Sequence, residues 1–143
     1  MRLFYLILAI VIVSCNSDRP LTDQDQSAFE KMAQDYQTLY MEGSVNLDEI
    51  LAGMDKDIQM WENGKVWTYV DLVKFGPHLP KKNVIDTYNE QKLLEPNLGY
   101  DFVSLRYINT QGDTLRETAS RIWKNRDSQW QIVYMNNSIH KED

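Results

Sequence analysis

Cysteine and histidine are scarce in this sequence. Cys15 is the only cysteine among 143 residues, so the chain cannot form an internal disulfide. The two histidines, His78 and His140, stand far apart, and neither has a neighbour at the spacing of metal ligands. A glycine-rich phosphate loop is also missing. We therefore expect no metal site and no cofactor.

The excess of acidic over basic residues is modest. The formal net charge is −6 at pH 7, from 15 basic and 21 acidic residues. A protein that binds nucleic acid or an anionic membrane surface needs a basic patch, and we expect neither kind of surface here. The chain is 43% hydrophobic and has sixteen aromatic residues (four Trp, eight Tyr and four Phe), which predicts a folded domain rather than disorder.

Long apolar runs are absent except near the N-terminus. Residues 3–13 form an unbroken apolar run behind Arg2, and Ser14 and Cys15 follow it. A membrane-spanning helix needs roughly 20 apolar residues. The shorter run is typical of the hydrophobic region of an export signal, which is removed from the mature protein.

The end of this segment, Ile12-Val13-Ser14-Cys15, resembles the lipobox of bacterial lipoproteins. The resemblance implies acylation of Cys15 and cleavage on its N-terminal side; the alternative is an ordinary secretory signal. We predict a signal peptide at 1–14, a lipidated tether at 15–21 and one domain at 22–143. The lipid at Cys15 would anchor the domain in the cell envelope, to a membrane outside the cytoplasm. Inner and outer membrane both remain open, because Asn16 is not the aspartate that retains some lipoproteins on the inner membrane.

Helical spacing of apolar residues begins the domain. A first helix is predicted over residues 22–42, with Thr22 as its N-cap. Its apolar stripe consists of Phe29, Met32, Ala33, Tyr36 and Tyr40. A shorter helix is predicted from about Asn46 and another over 69–75. Between them, Asn63-Gly64 is flanked by apolar runs and predicts a β-hairpin.

The second half of the domain reads as strands. Turn-forming residues separate four predicted strands, at 83–94, 99–110, 114–125 and 129–139. Helices first and strands afterwards indicate the α+β class. We predict N-terminal helices packed on a strongly curved antiparallel sheet that forms a cone with a cavity.

The last two predicted strands resemble those of the association domain of calcium/calmodulin-dependent protein kinase, in the nuclear transport factor two-like superfamily. The segments concerned are Thr118-Ala119-Ser120-Arg121-Ile122-Trp123-Lys124, Trp130-Gln131-Ile132-Val133 and Asn136-Asn137-Ser138. The superfamily also includes SnoaL-like cyclases and ketosteroid isomerases. The resemblance implies a cone-shaped α+β domain with a pocket on the concave side of its sheet.

Two arginines are the strongest candidates for a ligand site. Alternation along the strands places Arg106 with Tyr100, Phe102, Ser104 and Ile108, and Arg121 with Leu115, Glu117, Ala119 and Trp123. We expect both arginines on inner, mostly apolar faces of neighbouring strands. The resemblance implies that they could bind a small carboxylate through bidentate hydrogen bonds. The alternative pairs Arg121 with Glu117 or another internal acid, or extends it to solvent.

Four further residues are ligand-binding candidates. Tyr134 and Asn136 stand where the kinase domain has pocket histidines, and Tyr36 and Trp61 belong to segments expected to reach the cavity. In ketosteroid isomerases a catalytic Asp follows the first strand, but Asn63 falls near that position and cannot accept a proton. We therefore identify no catalytic residue, and Glu62 is assigned to the turn.

The leading hypothesis is a non-catalytic, lipid-anchored domain whose cavity binds a small ligand. A metal-independent cyclase, isomerase or dehydratase is the first alternative. A structural oligomerisation module is the second, and a homodimer through the exposed sheet face is compatible with the first two hypotheses.

Overall fold

The computed structural model describes residues 19–142, so the predicted signal peptide and Cys15 lie outside the described part. The α-helices are α1 (Asp23–Glu42), α2 (Leu47–Ala52) and α3 (Tyr69–Phe75). Short 3-10 turns cover Gly43–Asn46 and Gly76–His78. The strands are β1 (Met54–Glu62), β2 (Lys65–Thr68), β3 (Asn83–Glu95), β4 (Leu98–Ile108), β5 (Thr114–Arg126) and β6 (Gln129–Lys141). Each element predicted from the sequence is present, with ends that differ by at most a few residues.

Helix α1 begins and ends where its sequence predicts. The Thr22 hydroxyl accepts a hydrogen bond from the Asp25 N–H, and the Asp25 carboxylate accepts one from the Thr22 N–H, which satisfies free donors of the first turn. The helix ends at Gly43, whose φ of 78° is unfavourable for any other residue. A Cβ at Gly43 would also lie 2.7 Å from the carbonyl carbon of Pro80. This close approach fixes the end of α1 against the segment that leads into β3.

The six strands form one sheet in the order β2-β1-β6-β5-β4-β3. Strands β3 to β6 are joined by short antiparallel connections, as expected. The pairing of β1 with β6 is parallel, so the sheet is mixed rather than wholly antiparallel. These two strands are far apart in the chain, and no local turn signal could reveal their relative direction. The sheet is strongly curved and does not close, which leaves β2 and β3 as its edges.

The helices cover the concave face of the sheet, and their contact forms the core. The fully buried Trp123 ring meets Phe29 and Tyr36 edge to face, at centroid distances of 6.5 and 5.2 Å. Gly99 makes room for the Phe29 ring, since a Cβ there would lie 2.3 Å from that ring. Gln26 of α1 accepts from the Leu93 N–H and donates to the Gln91 carbonyl, which covers this part of the β3 edge.

The inner face of β4 differs from the predicted one. Asp101, Val103 and Leu105 are buried against the helices, whereas Arg106 and its companions on alternate positions lie on the convex face. Both faces of β4 carry apolar side chains, so alternation alone did not distinguish them. On β5 the predicted face is correct, with Glu117, Ala119, Arg121 and Trp123 buried. Among residues 19–142, no helix is long and apolar enough to span a membrane.

Candidate functional site

Arg121 lies in the core, where its guanidinium binds the carboxylate of another buried residue. Its Nε donates to Asp101 Oδ1 at 2.9 Å, and its Nη2 donates to Asp101 Oδ2. The Trp123 indole N–H donates to the same Oδ1 at 3.1 Å. The two charged residues face each other across β4 and β5, and each is at most 1% exposed. The pair of N–H donors that could bind a ligand carboxylate is therefore taken by Asp101. The acidic partner of Arg121 is Asp101 rather than Glu117.

Arg106 lies on the other side of the sheet. Its guanidinium forms ion pairs with Asp86 at 2.7 Å and with Glu142 at 3.1 Å, all on the convex, partly solvated face. The expectation that Arg106 and Arg121 share an inner face was therefore wrong. The β-sheet separates the two guanidinium groups, so they cannot bind the same ligand.

The other predicted ligand residues also divide between the two faces. Trp61 and Tyr134 are 41% and 40% exposed on the convex face, and Asn136 lies beside them. Their expected placement in the cavity was wrong. On β6, a bulge opposite Trp123 shifts the inward positions to Ile132, Met135 and Asn137. On β1, Trp61 alternates with the buried Ile58 and Met60 and so points outward. Of this group Tyr36 alone faces inward.

The Tyr36 side chain is buried in the core and hydrogen-bonded there. Its hydroxyl donates to the Ile50 carbonyl at 3.3 Å. Burial raises the pKa of the Tyr36 hydroxyl above its usual range. The group therefore stays protonated and acts as a tie between α1 and α2.

A second buried charge cluster surrounds Glu117. Lys82 Nζ lies 3.2 Å from Glu117 Oε2, and the Tyr40 hydroxyl donates to Oε1 at 3.0 Å. Lys82 Nζ also lies 4.0 Å from the centre of the Tyr40 ring. Burial, and then the negative charge of Glu117, raises the pKa of Tyr40 well above its usual value. The phenol therefore remains a hydrogen-bond donor to the carboxylate.

An apolar cavity of about 100 Å³ opens between α2, α3 and the β1–β2 hairpin. Its lining consists of Tyr40, Leu47, Ile50, Leu51, Met54, Met60, Glu62, Trp67, Leu72, Phe75, Gly76 and Leu79. Trp67 and Phe75 meet edge to face, with centroids 4.7 Å apart. The surface is almost wholly hydrocarbon and aromatic, which is typical of a site for a small organic ligand.

Glu62 supplies the one carboxylate on this cavity within the described chain. Asn137 Nδ2 donates to Glu62 Oε2 at 2.9 Å and to Glu117 Oε1 at 3.3 Å, so one amide joins the cavity to the buried cluster. The sequence-based prediction for Glu62, a place in the turn, did not include this position on the cavity. Its alternation with Ile58 and Met60, which are both buried, was the signal that could have placed it on the inner face.

An open groove of about 480 Å³ runs along the other side of α1. Met32 and Leu39 of α1 and Trp123 and Trp130 of the sheet contribute its apolar walls. The groove is wide open to solvent, and its two charged residues, Lys31 and Asp35, form an exposed ion pair with each other. Across residues 19–142, no three His, Cys, Asp or Glu side chains are arranged to hold a metal ion.

No protein-family model and no curated protein matches this sequence. Solved structures do resemble it. The association domain of CaMKII from C. elegans superposes with a TM-score of 0.62 at 15% identity, covering 82% of this chain and 99% of that one. An NTF-2 like protein of unknown function from Pseudomonas aeruginosa gives 0.61 at 12% identity, covering 79% and 98%. A type 2 hexachlorocyclohexane dehydrochlorinase gives 0.54 at 10% identity, covering 85% and 94%. The chain therefore has the nuclear transport factor two-like fold, which catalytic and non-catalytic proteins share.

Replacing Arg121 with leucine is expected to lower the free energy of unfolding by about 3–5 kcal/mol, because the buried Asp101 carboxylate loses its cation. The double variant Arg121→Met with Asp101→Asn removes both charges and keeps an oxygen for the Trp123 indole, so it should recover most of that loss. Chemical denaturation measures both. A leucine variant as stable as the parent would show that Asp101 does not need this partner.

Proposed function

We propose that this protein is a non-catalytic binding domain of the cell envelope, anchored by a lipid at Cys15, whose cavity beside Glu62 holds a small apolar ligand. The observation that carries the binding function is the apolar cavity with a single carboxylate on its wall. The anchor rests on the lipobox-like sequence that ends at Cys15.

The size of the cavity limits the ligand. An engineered cavity of about 150 Å³ holds benzene, and this one measures about 100 Å³. By that comparison the ligand has roughly four to six non-hydrogen atoms inside the cavity. Met54 and Met60 line it, and their unbranched side chains adapt to an irregular guest.

The structure disfavours two possibilities that the sequence left open, a carboxylate ligand and an enzyme. A carboxylate ligand is not favoured, because Arg121 is bound to Asp101 and Arg106 lies on the convex face. The enzyme alternative is not favoured either. Among the described residues that line the cavity, only Tyr40 and Glu62 could exchange a proton, and the Tyr40 hydroxyl is held by Glu117.

The cavity should be detectable with a small probe. Titrating the purified protein with n-butanol is expected to shift the methyl resonances of Met54 and Met60 in the 13C-methionine NMR spectrum. Met32, in the groove on the other side of α1, is the internal control and should not move. Shifts at Met32 alone, or at none of these methyl groups, would contradict binding in the cavity.

Lipid anchoring can be tested in the native bacterium with Cys15→Ser. We expect the parent protein to fractionate with membranes and its mature form to carry the mass of the acyl groups, while the variant lacks that mass and leaves the membrane fraction. Asn16→Ser is the matched control and should behave as the parent. A parent protein without added lipid mass would refute the anchor.

The convex face of the sheet supports a second role, as a homodimer interface. Trp61 and Val66 lie side by side there, and Trp61 is followed across the sheet by Asn136, Ser120 and Phe102. Tyr134, Ile122 and Tyr100 form the neighbouring row. A contiguous patch of this kind is typical of a protein–protein contact. A likeness to a domain named for association agrees with this role.

The variant Trp61→Glu should separate the proposed dimer, because an unpaired charge would be buried in the contact. Analytical ultracentrifugation of the purified protein measures the change from dimer to monomer. Val45→Glu is the control, since Val45 is 82% exposed and lies away from the sheet. A parent protein that sediments as a monomer would rule out this interface.

A further inference from the structure

We infer that the ligand of this cavity carries a cationic amine, whose ammonium group binds the Glu62 carboxylate while its short hydrocarbon body fills the apolar lining. The inference rests on the proposed function, since it names the class of ligand for the same cavity.

Charge balance is the first reason. Two carboxylates, Glu62 and Glu117, are joined by the Asn137 amide, and one cation, Lys82, lies with them. Lys82 is paired with Glu117 at 3.2 Å, and both side chains are at most 4% exposed. Glu62 therefore accepts a neutral amide hydrogen bond but has no cation of its own. Within residues 19–142, no ion pair of 4.0 Å or less involves Glu62.

Lys65 does not neutralise the negative charge of Glu62. Lys65 stands opposite Glu62 in the hairpin, where β1 and β2 pair. Its side chain is exposed, and its ammonium stays beyond ion-pair distance of the carboxylate. An exposed lysine interacts with a carboxylate weakly and is screened by salt. A ligand ammonium enclosed in the cavity would interact with Glu62 at closer range and with less screening.

The surroundings of Glu62 are the second reason. Trp67 stands opposite Met60, one inward position along the hairpin from Glu62, and its ring lines the same cavity together with Phe75. Aromatic faces next to a carboxylate are the usual environment of a bound organic ammonium. The protein uses the same chemistry internally, since Lys82 and Lys56 place their ammonium groups 4.0 and 3.9 Å from tyrosine rings.

Competing head groups fit less well. A carboxylate at this end of the cavity would be repelled by Glu62, without an available guanidinium to offset the repulsion. An alcohol could donate one hydrogen bond to Glu62 but would leave its charge uncompensated. The geometry therefore favours a cation over a neutral or negative group of equal size.

Three probes of nearly equal length test this inference: n-butylamine, n-butanol and butyrate. At pH 7 the amine is protonated, as a lysine side chain is, and butyrate is ionised. Dissociation constants come from the NMR shifts of the Met54 and Met60 methyl groups, with Met32 again as the internal control. We expect n-butylamine to bind at least tenfold more tightly than n-butanol, and butyrate to bind most weakly.

The variant Glu62→Gln isolates the charge, because glutamine has the same shape and still accepts the hydrogen bond of Asn137. It should weaken n-butylamine binding about tenfold and n-butanol binding much less, so that the preference for the amine is lost. Lys65→Met removes a like charge near Glu62 and should preserve or strengthen amine binding. A loss of amine binding in that variant would contradict recognition of the ammonium group by Glu62. If n-butanol or butyrate binds as tightly as the amine, the inference is wrong but the cavity stands. If none of the probes moves Met54 and Met60, the proposed function itself fails.

Discussion

The contact between Asp101 and Arg121 places opposite charges on facing positions of β4 and β5, inside the concave side of the sheet. This ion pair forms in only one register, because a slip of either strand by one residue would turn its charge to the convex face and leave the other charge buried without a partner. The Trp123 indole shares the same carboxylate, and Phe29 and Tyr36 of α1 pack on its ring. The ion pair thus links the register of the central strands to the position of the long helix. The remainder of the core is arranged around that link.

The interior of the cone is consequently divided into a filled part and an open part. Around Arg121 the side chains leave only about 10 Å³, which is close to the space of a single water molecule. Towards α3 the packing is looser, and the cavity beside Glu62 remains. Asn137 connects the two parts by donating to Glu62 on one side and to Glu117 on the other. Charges in the filled part are paired with one another, whereas the Glu62 carboxylate at its border is the group that we propose binds the ligand.

The two surfaces of the sheet have different consequences for function. The concave face carries the charge pairs and the cavity, and the convex face carries Trp61, Tyr134 and the paired Arg106. The proposed ligand cavity and the proposed dimer interface are compatible with each other, since they use opposite sides of the same strands. Arg106 and Arg121, which the sequence predicted to form one site, lie on opposite faces: Arg121 on the concave face and Arg106 on the convex face.

Local physics was enough to predict most of the architecture from the sequence: the capping of α1 by Thr22, the Asn63-Gly64 hairpin and the four long strands all follow from short-range preferences. The curved α+β class also followed from element order, and the lipobox-like segment at Cys15 remains a prediction of the sequence. Tertiary structure alone decided the parallel pairing of β1 with β6, because its partners lie at opposite ends of the domain. It also decided which side of β4 faces the helices, since both sides are apolar and only Asp101 could meet Arg121. The alternation of Glu62 with Ile58 and Met60 could have placed it on the inner face, but only the pairing of distant strands brings it beside Asn137 and the cavity.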